Sequence, residues 1–330
     1  KIVGIIAAVA MAASVFAIEF TGAVKADTNL FNMSFADGAK PTAFSAGLES
    51  GGNWWGTRAQ TAFYGDKGGA QFAISTNWSG AVKFNSLSVW FNPFDMLKIT
   101  IGEAGDKLNE SYTDGLKIIS AGDMWKFELT PVEGFTFTVA LADKWINNGV
   151  IGKTGFSAKY AADFGTIGGM FVANNDFKEI SFGAGYSNKF DNVAMFADVA
   201  LNMASSKIAS LLADAQVDVS ADALSFKAYI QFGTLLGDYK FGDAKADTAL
   251  LLRTKLAYAL DACTPYIEVK ANDLIAEKLG LVINPGVSFN VGCASLDLGV
   301  KIGNLIKNGG ISTDGDALVS DWMIAVPFSV

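Results

Sequence analysis

Residues 134–142 read Gly134-Phe135-Thr136-Phe137-Thr138-Val139-Ala140-Leu141-Ala142. In an extended backbone successive side chains point to opposite faces, so Phe135, Phe137, Val139 and Leu141 share one face and small or hydroxylated residues share the other. The same period of two returns along the chain. Leu97, Ile99 and Ile101 alternate with Lys98 and Thr100, and Ile180, Phe182, Ala184 and Tyr186 alternate with Glu179, Ser181, Gly183 and Gly185. Leu224, Phe226, Ala228, Ile230 and Phe232 alternate with Ser225, Lys227, Tyr229 and Gln231; Leu296, Leu298, Val300 and Ile302 alternate with Asp297, Gly299 and Lys301. Each segment is a strand with one apolar and one hydrated face.

Extended in both directions, the rhythm predicts strands at 18–27, 53–63, 69–79, 81–91, 95–102, 123–131, 134–142, 154–164, 165–174, 178–187, 193–203, 212–220, 222–233, 249–260, 264–271, 283–292, 294–303 and 318–328. This gives about 18 strands, an even number, with 16 as the alternative. The alternative arises because the apolar phase slips by one residue between Val82 and Phe84 on one side and Leu87, Val89 and Phe91 on the other, the mark of a β-bulge or a misplaced boundary. After a loop at 28–52, short connections such as Gly65-Asp66-Lys67-Gly68, Asn92-Pro93-Phe94, Pro131-Val132-Glu133, Lys189-Phe190-Asp191-Asn192 and Ser220-Ala221 alternate with longer ones.

Alternation alone does not say which face meets water. A large secreted β-sandwich or β-helix would turn the apolar face into a dry interior and carry many charges outside. Here the alternate face is mostly Gly, Ala, Ser, Thr and Asn with a sparse mixture of charges, which suits a polar lumen inside an apolar shell. The expected fold class is therefore all-β, a transmembrane antiparallel β-barrel over residues 18–330, with Phe135, Phe137, Ile180, Phe182, Leu296 and Leu298 facing outward. Residues 1–17 are expected to be a signal peptide: Lys1 precedes an apolar run from Ile2 to Phe16, and Val15 and Ala17 stand at the small-residue spacing of a cleavage site. Beyond residue 17 apolar runs end at about five residues, far below the roughly 20 that a spanning helix requires.

Composition excludes other functions. The chain of 330 residues contains no histidine, so Ser-His and Cys-His nucleophiles cannot be assembled. Cys263 and Cys293 are too far apart for a zinc knuckle. No enzyme chemistry, cofactor or metal is expected. A net charge of −8 argues against nucleic acid, which needs a basic face.

The alternating strands together with Trp90-Phe91-Asn92-Pro93-Phe94-Asp95-Met96-Leu97-Lys98-Ile99 and Leu129-Thr130-Pro131-Val132-Glu133-Gly134-Phe135 resemble bacterial outer-membrane porins, most nearly the spirochaete type. Such barrels commonly end on an aromatic residue, whereas this sequence ends Phe328-Ser329-Val330. The resemblance implies an outer-membrane location among lipid, a homotrimer, and passive diffusion of small hydrophilic solutes; an adhesive or structural-array protein of the outer membrane is the alternative.

Strand phase assigns Lys25, Arg58, Lys98, Lys126, Glu128, Lys159, Glu179, Lys227, Arg253, Lys255, Asp297 and Lys301 to the pore lining. The connection 103–122 carries Glu103, Asp106, Lys107, Glu110 and Asp114 and follows the fifth strand, as the pore-narrowing loop does in the porins the chain resembles. It is expected either to narrow the lumen against the basic wall or to remain an ordinary acidic outer loop. Cys263 and Cys293 fall at neighbouring short turns. Two strand spacings put them near 10 Å apart, so a disulfide requires one turn to fold toward the other, and two separately packed thiols are the alternative.

Overall fold

The computed structural model describes residues 17–19, 27–34, 41–45, 57–65, 67–76, 82–106, 119–142, 145–147, 149–174, 176–204, 207–235, 248–271, 274, 281–292, 294–303 and 323–329. Among the described residues the period-two segments are strands, and there is no helix. In chain order the strands are β1 (Ala17–Glu19), β2 (Asp27–Ser34), β3 (Thr42–Ser45), β4 (Thr57–Gly65), β5 (Gly68–Thr76), β6 (Val82–Phe94), β7 (Leu97–Asp106), β8 (Ile119–Val132) and β9 (Phe135–Ala142). A small separate hairpin, β10 (Ile146–Asn147) and β11 (Val150–Ile151), follows. Then come β12 (Thr154–Ala162), β13 (Gly165–Asn174), β14 (Glu179–Phe190), β15 (Val193–Ala204), β16 (Lys207–Ala221), β17 (Leu224–Leu235), β18 (Thr248–Tyr258), β19 (Thr264–Ala271), β20 (Leu281–Val291), β21 (Ala294–Gly299), β22 (Lys301–Gly303) and β23 (Met323–Ser329).

All strands except β10 and β11 belong to one 21-stranded sheet. Its hydrogen-bonded series is antiparallel and almost sequential: β1 lies on β4, each strand from β4 to β9 and from β12 to β20 pairs with the next, and β9 pairs with β12. The series then passes through β21 and β22 to β23, and from β23 to β2 and β3.

Chain length forces this sheet to curl. From β1 to β2 there are about 18 inter-strand spacings, so a flat sheet would be roughly 85 Å wide at about 4.8 Å per spacing. Yet Glu19 at the end of β1 and Asp27 at the start of β2 are joined by eight peptide steps, which span about 28 Å at most. The two ends must therefore come round to each other, as in a barrel.

The faces sort as a barrel requires. Cross-strand partners share a face, and the row Val139, Phe156, Phe171, Phe182, Leu201, Leu211 runs unbroken across β9 and β12–β16. Side chains in this phase splay over a convex surface: Phe182 is 44% exposed, Val199 42% and Leu256 43%. The buried polar groups, Thr138, Ser157, Asp198, Ser210, Asp214, Gln216 and Asn284, all lie in the opposite phase, beside smaller or flexible apolar residues such as Ala140, Met170 and Ala200. A sandwich would show the reverse, with the large apolar groups dry. Phe135, Phe137, Ile180, Leu296 and Leu298 all lie in the convex phase with Phe182.

Among the described residues every predicted strand from 53–63 onward overlaps an observed one, and three differences along the chain are informative. β2 runs from the last residue of the predicted strand 18–27 into the segment read as loop 28–52, which also holds β3, and of 18–27 only residues 18, 19 and 27 are described. The phase slip near Phe84 is a bulge, since Ala73 faces Ser86 while Ile74 faces Phe84. The predicted strand 294–303 is divided at Val300. Its neighbour there is Pro285, which has no N–H to donate to the ladder, so only Val300 N–H to Pro285 O (2.8 Å) remains.

One rim carries the short turns at Lys67, 95–96, 133–134, 163–164, 191–192, 222–223 and 259–263. Pro93 and Pro131 sit in register irregularities of β6 and β8 just before this rim, where a missing N–H costs no regular rung. Asn92 N–H to Lys67 O (2.7 Å), Thr130 N–H to Met96 O (2.8 Å) and Ala161 N–H to Gly134 O (2.8 Å) lace successive turns together. Lys67 Nζ also reaches Asp95 Oδ1 at 2.6 Å. That bond and the adjacent charge hold the exposed Asp95 carboxyl below its ordinary range. Cys263 carries a free thiol in the last of these turns, and Cys293 lies outside the described residues.

Candidate functional site

The concave face is where strand phase collects polar chemistry. On β6–β9 and β12 it presents Trp90, Lys98, Thr100, Lys126, Glu128, Thr138, Ser157 and Lys159 in register. Glu128 stands between two lysines, with Oε1 3.1 Å from Lys126 Nζ and Oε2 4.0 Å from Lys98 Nζ. Lys98 Nζ also lies 5.7 Å from the Trp90 ring centroid, a cation–π contact.

Asp106 departs from this wall. It ends β7, beyond a register shift, opposite Ile119. Its Oδ2 accepts from Ser157 Oγ at 2.5 Å, and its Oδ1 accepts from Lys159 Nζ at 2.8 Å. Ser157 and Lys159 belong to β12, three strand positions away across β8 and β9, which is about 14 Å along the wall. An aspartate and a serine cannot bridge that distance along the surface. The outer end of the β7–β8 hairpin must therefore lean off the wall toward the barrel interior, and Ala104 beside it packs on the buried inner residues Met124, Ala140, Met170, Val172 and Ala200.

The sector from β15 to β21 separates charge by strand. Asp198 and Asp214 are direct cross-strand partners, each only 4% exposed. Tyr229 Oη donates to Asp214 Oδ2 at 2.9 Å. Gln216 Nε2 donates to both carboxylate oxygens of Asp218 at 3.1 Å, and Lys227 Nζ lies 3.2 Å from Asp218 Oδ2. The next strands gather basic groups, Lys227 facing Lys255 and Arg253 facing Lys270, with Glu268 of β19 opposite Lys255. Lys255 Nζ sits 4.1 Å over the Tyr266 ring. Asp297 accepts from Tyr266 Oη at 2.8 Å and from Ser288 Oγ at 2.7 Å.

The Tyr266 ring lies over its cross-strand partner Gly286, where an added Cβ would come within 2.4 Å of ring atom Cζ and 2.9 Å of Leu298 O. Gly286→Ala must displace the ring and its bond to Asp297, at a cost of about 1–3 kcal/mol. The expected result is loss of the folded, heat-modifiable electrophoretic form at a lower temperature than the parent. An unchanged melting profile would show that the ring moves away freely.

Lys98, Lys126, Glu128, Lys159, Glu179, Lys227, Arg253, Lys255, Asp297 and Lys301 are in the concave phase, and Arg58 has the matching register position opposite Ser75. Glu179 Oε2 accepts from Asn174 Nδ2 at 3.1 Å near the rim that carries the longer connections. Glu103 and Asp106 are strand residues of β7 rather than loop residues, a correction that follows from β7–β8 pairing past residue 102. Lys25, Lys107, Glu110 and Asp114 lie outside the described residues. Charge-based reading passed over Trp90, Ser157, Asp214, Gln216, Tyr229 and Tyr266. Asp214 and Gln216 share the phase of Asp218, so the signal for them was present in the alternation.

No family model and no curated protein matches this sequence. The fold does match solved structures. The chain is similar to OccK2 (OpdF) of Pseudomonas aeruginosa, with a TM-score of 0.54 and 8% identity over 93% of this chain and 96% of that one. OccK10 (OpdN) of the same organism gives 0.53 and 10%, over 94% and 98%. OmpF of Salmonella typhi, in a complex with daunomycin, gives 0.50 and 10%, over 94% and 97%. At such identities the likeness is one of architecture: this chain has the barrel fold of outer-membrane porins.

Proposed function

We propose that this protein is a porin of the bacterial outer membrane, a non-enzymatic channel through which small hydrophilic solutes diffuse passively. The observation that carries the reading is the inverted partition of the sheet, with bulky apolar side chains on the convex face and charged, hydroxyl and amide groups on the concave one. A barrel of 16–18 strands encloses more space than its inner side chains fill, and such an interior is an aqueous path. The porin folds that the chain matches support the same reading.

In this proposal the concave-phase charges, Arg58 included, line the path and set its selectivity. The segment 103–122 narrows it, a role supported by the reach of Asp106 across to Ser157 and Lys159. Residues 1–17 act as the export signal, 18–330 form the barrel, and three copies assemble. The spirochaete-type likeness of the segments at 90–99 and 129–135 belongs to this reading, and both prove to be proline-bearing turns on the short-turn rim.

Proteoliposome swelling with uncharged sugars of increasing size tests the proposal. Swelling rates should fall steeply with solute size. Liposomes that swell no faster than protein-free controls would overturn it.

A further inference from the structure

We propose that the barrel holds a binding subsite for small zwitterions, amino acids or short peptides, at its short-turn mouth. A cavity of about 510 Å³ lies there, between the β12–β13 turn and the inner faces of β14, β15 and β16, a size within the usual range of ligand pockets. Its lining includes one cross-strand row, Thr166, Ser187, Phe196 and Gln216, which stand directly opposite one another on β13–β16. Phe196 is buried and supplies an apolar base, while its neighbours offer hydroxyl and amide groups.

The charges on this cavity divide into engaged and unengaged. Asp218 is held by Gln216 and Lys227. Asp163, in the β12–β13 turn, and Lys189, near the end of β14, both line the same cavity, and neither side chain has an ion-pair or hydrogen-bond partner among the described residues. They also do not pair with each other, although they share one wall. A simple anion placed on Lys189 would face the Asp163 carboxylate, and a simple cation placed on Asp163 would face the Lys189 ammonium. A solute bearing both an ammonium and a carboxylate gives each residue a charge-assisted hydrogen bond, and a short apolar side chain on it rests against Phe196. The subsite deepens the channel reading, because a solute reaches it through the lumen or leaves by it.

Equilibrium binding of radiolabelled alanyl-alanine to the purified full-length barrel in detergent tests the subsite without requiring conduction. Saturable binding is expected, displaced by unlabelled alanyl-alanine but not by N-acetyl-alanyl-alanine or alanyl-alanine amide, each of which lacks one charge. Lys189→Met and Asp163→Asn should each weaken binding about tenfold or more, with heat-modifiable migration confirming that both variants fold. Absence of saturable binding, equal displacement by the blocked peptides, or unchanged affinity in both folded variants would overturn the subsite. A barrel that binds the dipeptide yet fails to swell liposomes would leave the subsite standing and sink the channel reading.

Discussion

Replacing Arg253 and Lys255 by glutamine is expected to shift the reversal potential in a salt gradient toward cation selectivity by several-fold in the permeability ratio. The two residues occupy the concave phase of β18, beside Lys227 on β17 and Lys270 on β19, and form the most basic strip of the described wall. A unit charge about 9 Å from a permeating ion in water contributes about 0.5 kcal/mol, felt with opposite sign by anion and cation. Two such charges multiply the effect. The shift should shrink as salt approaches 1 M, where the screening length falls to about 3 Å. A reversal potential unchanged at low salt would mean that these groups stand outside the ion path.

Asp106→Ala should enlarge the open-channel conductance, or replace one steady level with rapid transitions between levels. Asp106 is the described contact by which the β7–β8 hairpin is fastened across to β12, through Ser157 and Lys159. Both bonds are charge-assisted and partly shielded, Asp106 being 13% exposed and Lys159 28% at their side chains. Their loss costs on the order of 2 kcal/mol, enough to change the fastened-to-released ratio about thirtyfold. Lys159→Met, which keeps Ser157, should show a smaller change in the same direction. If conductance and its noise are both unaffected by Asp106→Ala, the hairpin does not narrow the lumen.

The strands were legible because membrane barrels encode them with a local signal: residue parity decides the face, so Phe182 and Ser181 announce their sides without knowledge of any partner. Even the bulge opposite Ala73 and Ile74 appears in the sequence as a slip of phase. The division of β21 from β22 does not, since it comes from Pro285 on the neighbouring strand, about 15 residues earlier. β2 is hidden in the sequence for a related reason. Asp27-Thr28-Asn29-Leu30-Phe31-Asn32-Met33-Ser34 carries a bulge between Asn29 and Phe31 that breaks its alternation.

The wall charges followed from parity as readily as the strands. Their pairing did not. Nothing in the one-dimensional pattern places Asp106 on Ser157, lays the Tyr266 ring over Gly286, or sets Asp198 opposite Asp214. Those contacts depend on register and on how the hairpin leans, which are properties of the assembled sheet. The neutral groups of the wall carry no charge to mark them in the sequence, yet Tyr229, Gln216 and Ser157 bond the charged groups and fix their positions.

Single-channel recording in planar bilayers tests the central claim most directly. Purified protein added to one chamber should produce discrete, uniform steps of conductance that scale with bulk electrolyte conductivity, as a water-filled path lined by the concave face of β4–β23 requires. Folded protein, confirmed by its heat-modifiable migration, that inserts into the bilayer without conducting would contradict the channel and leave only the barrel.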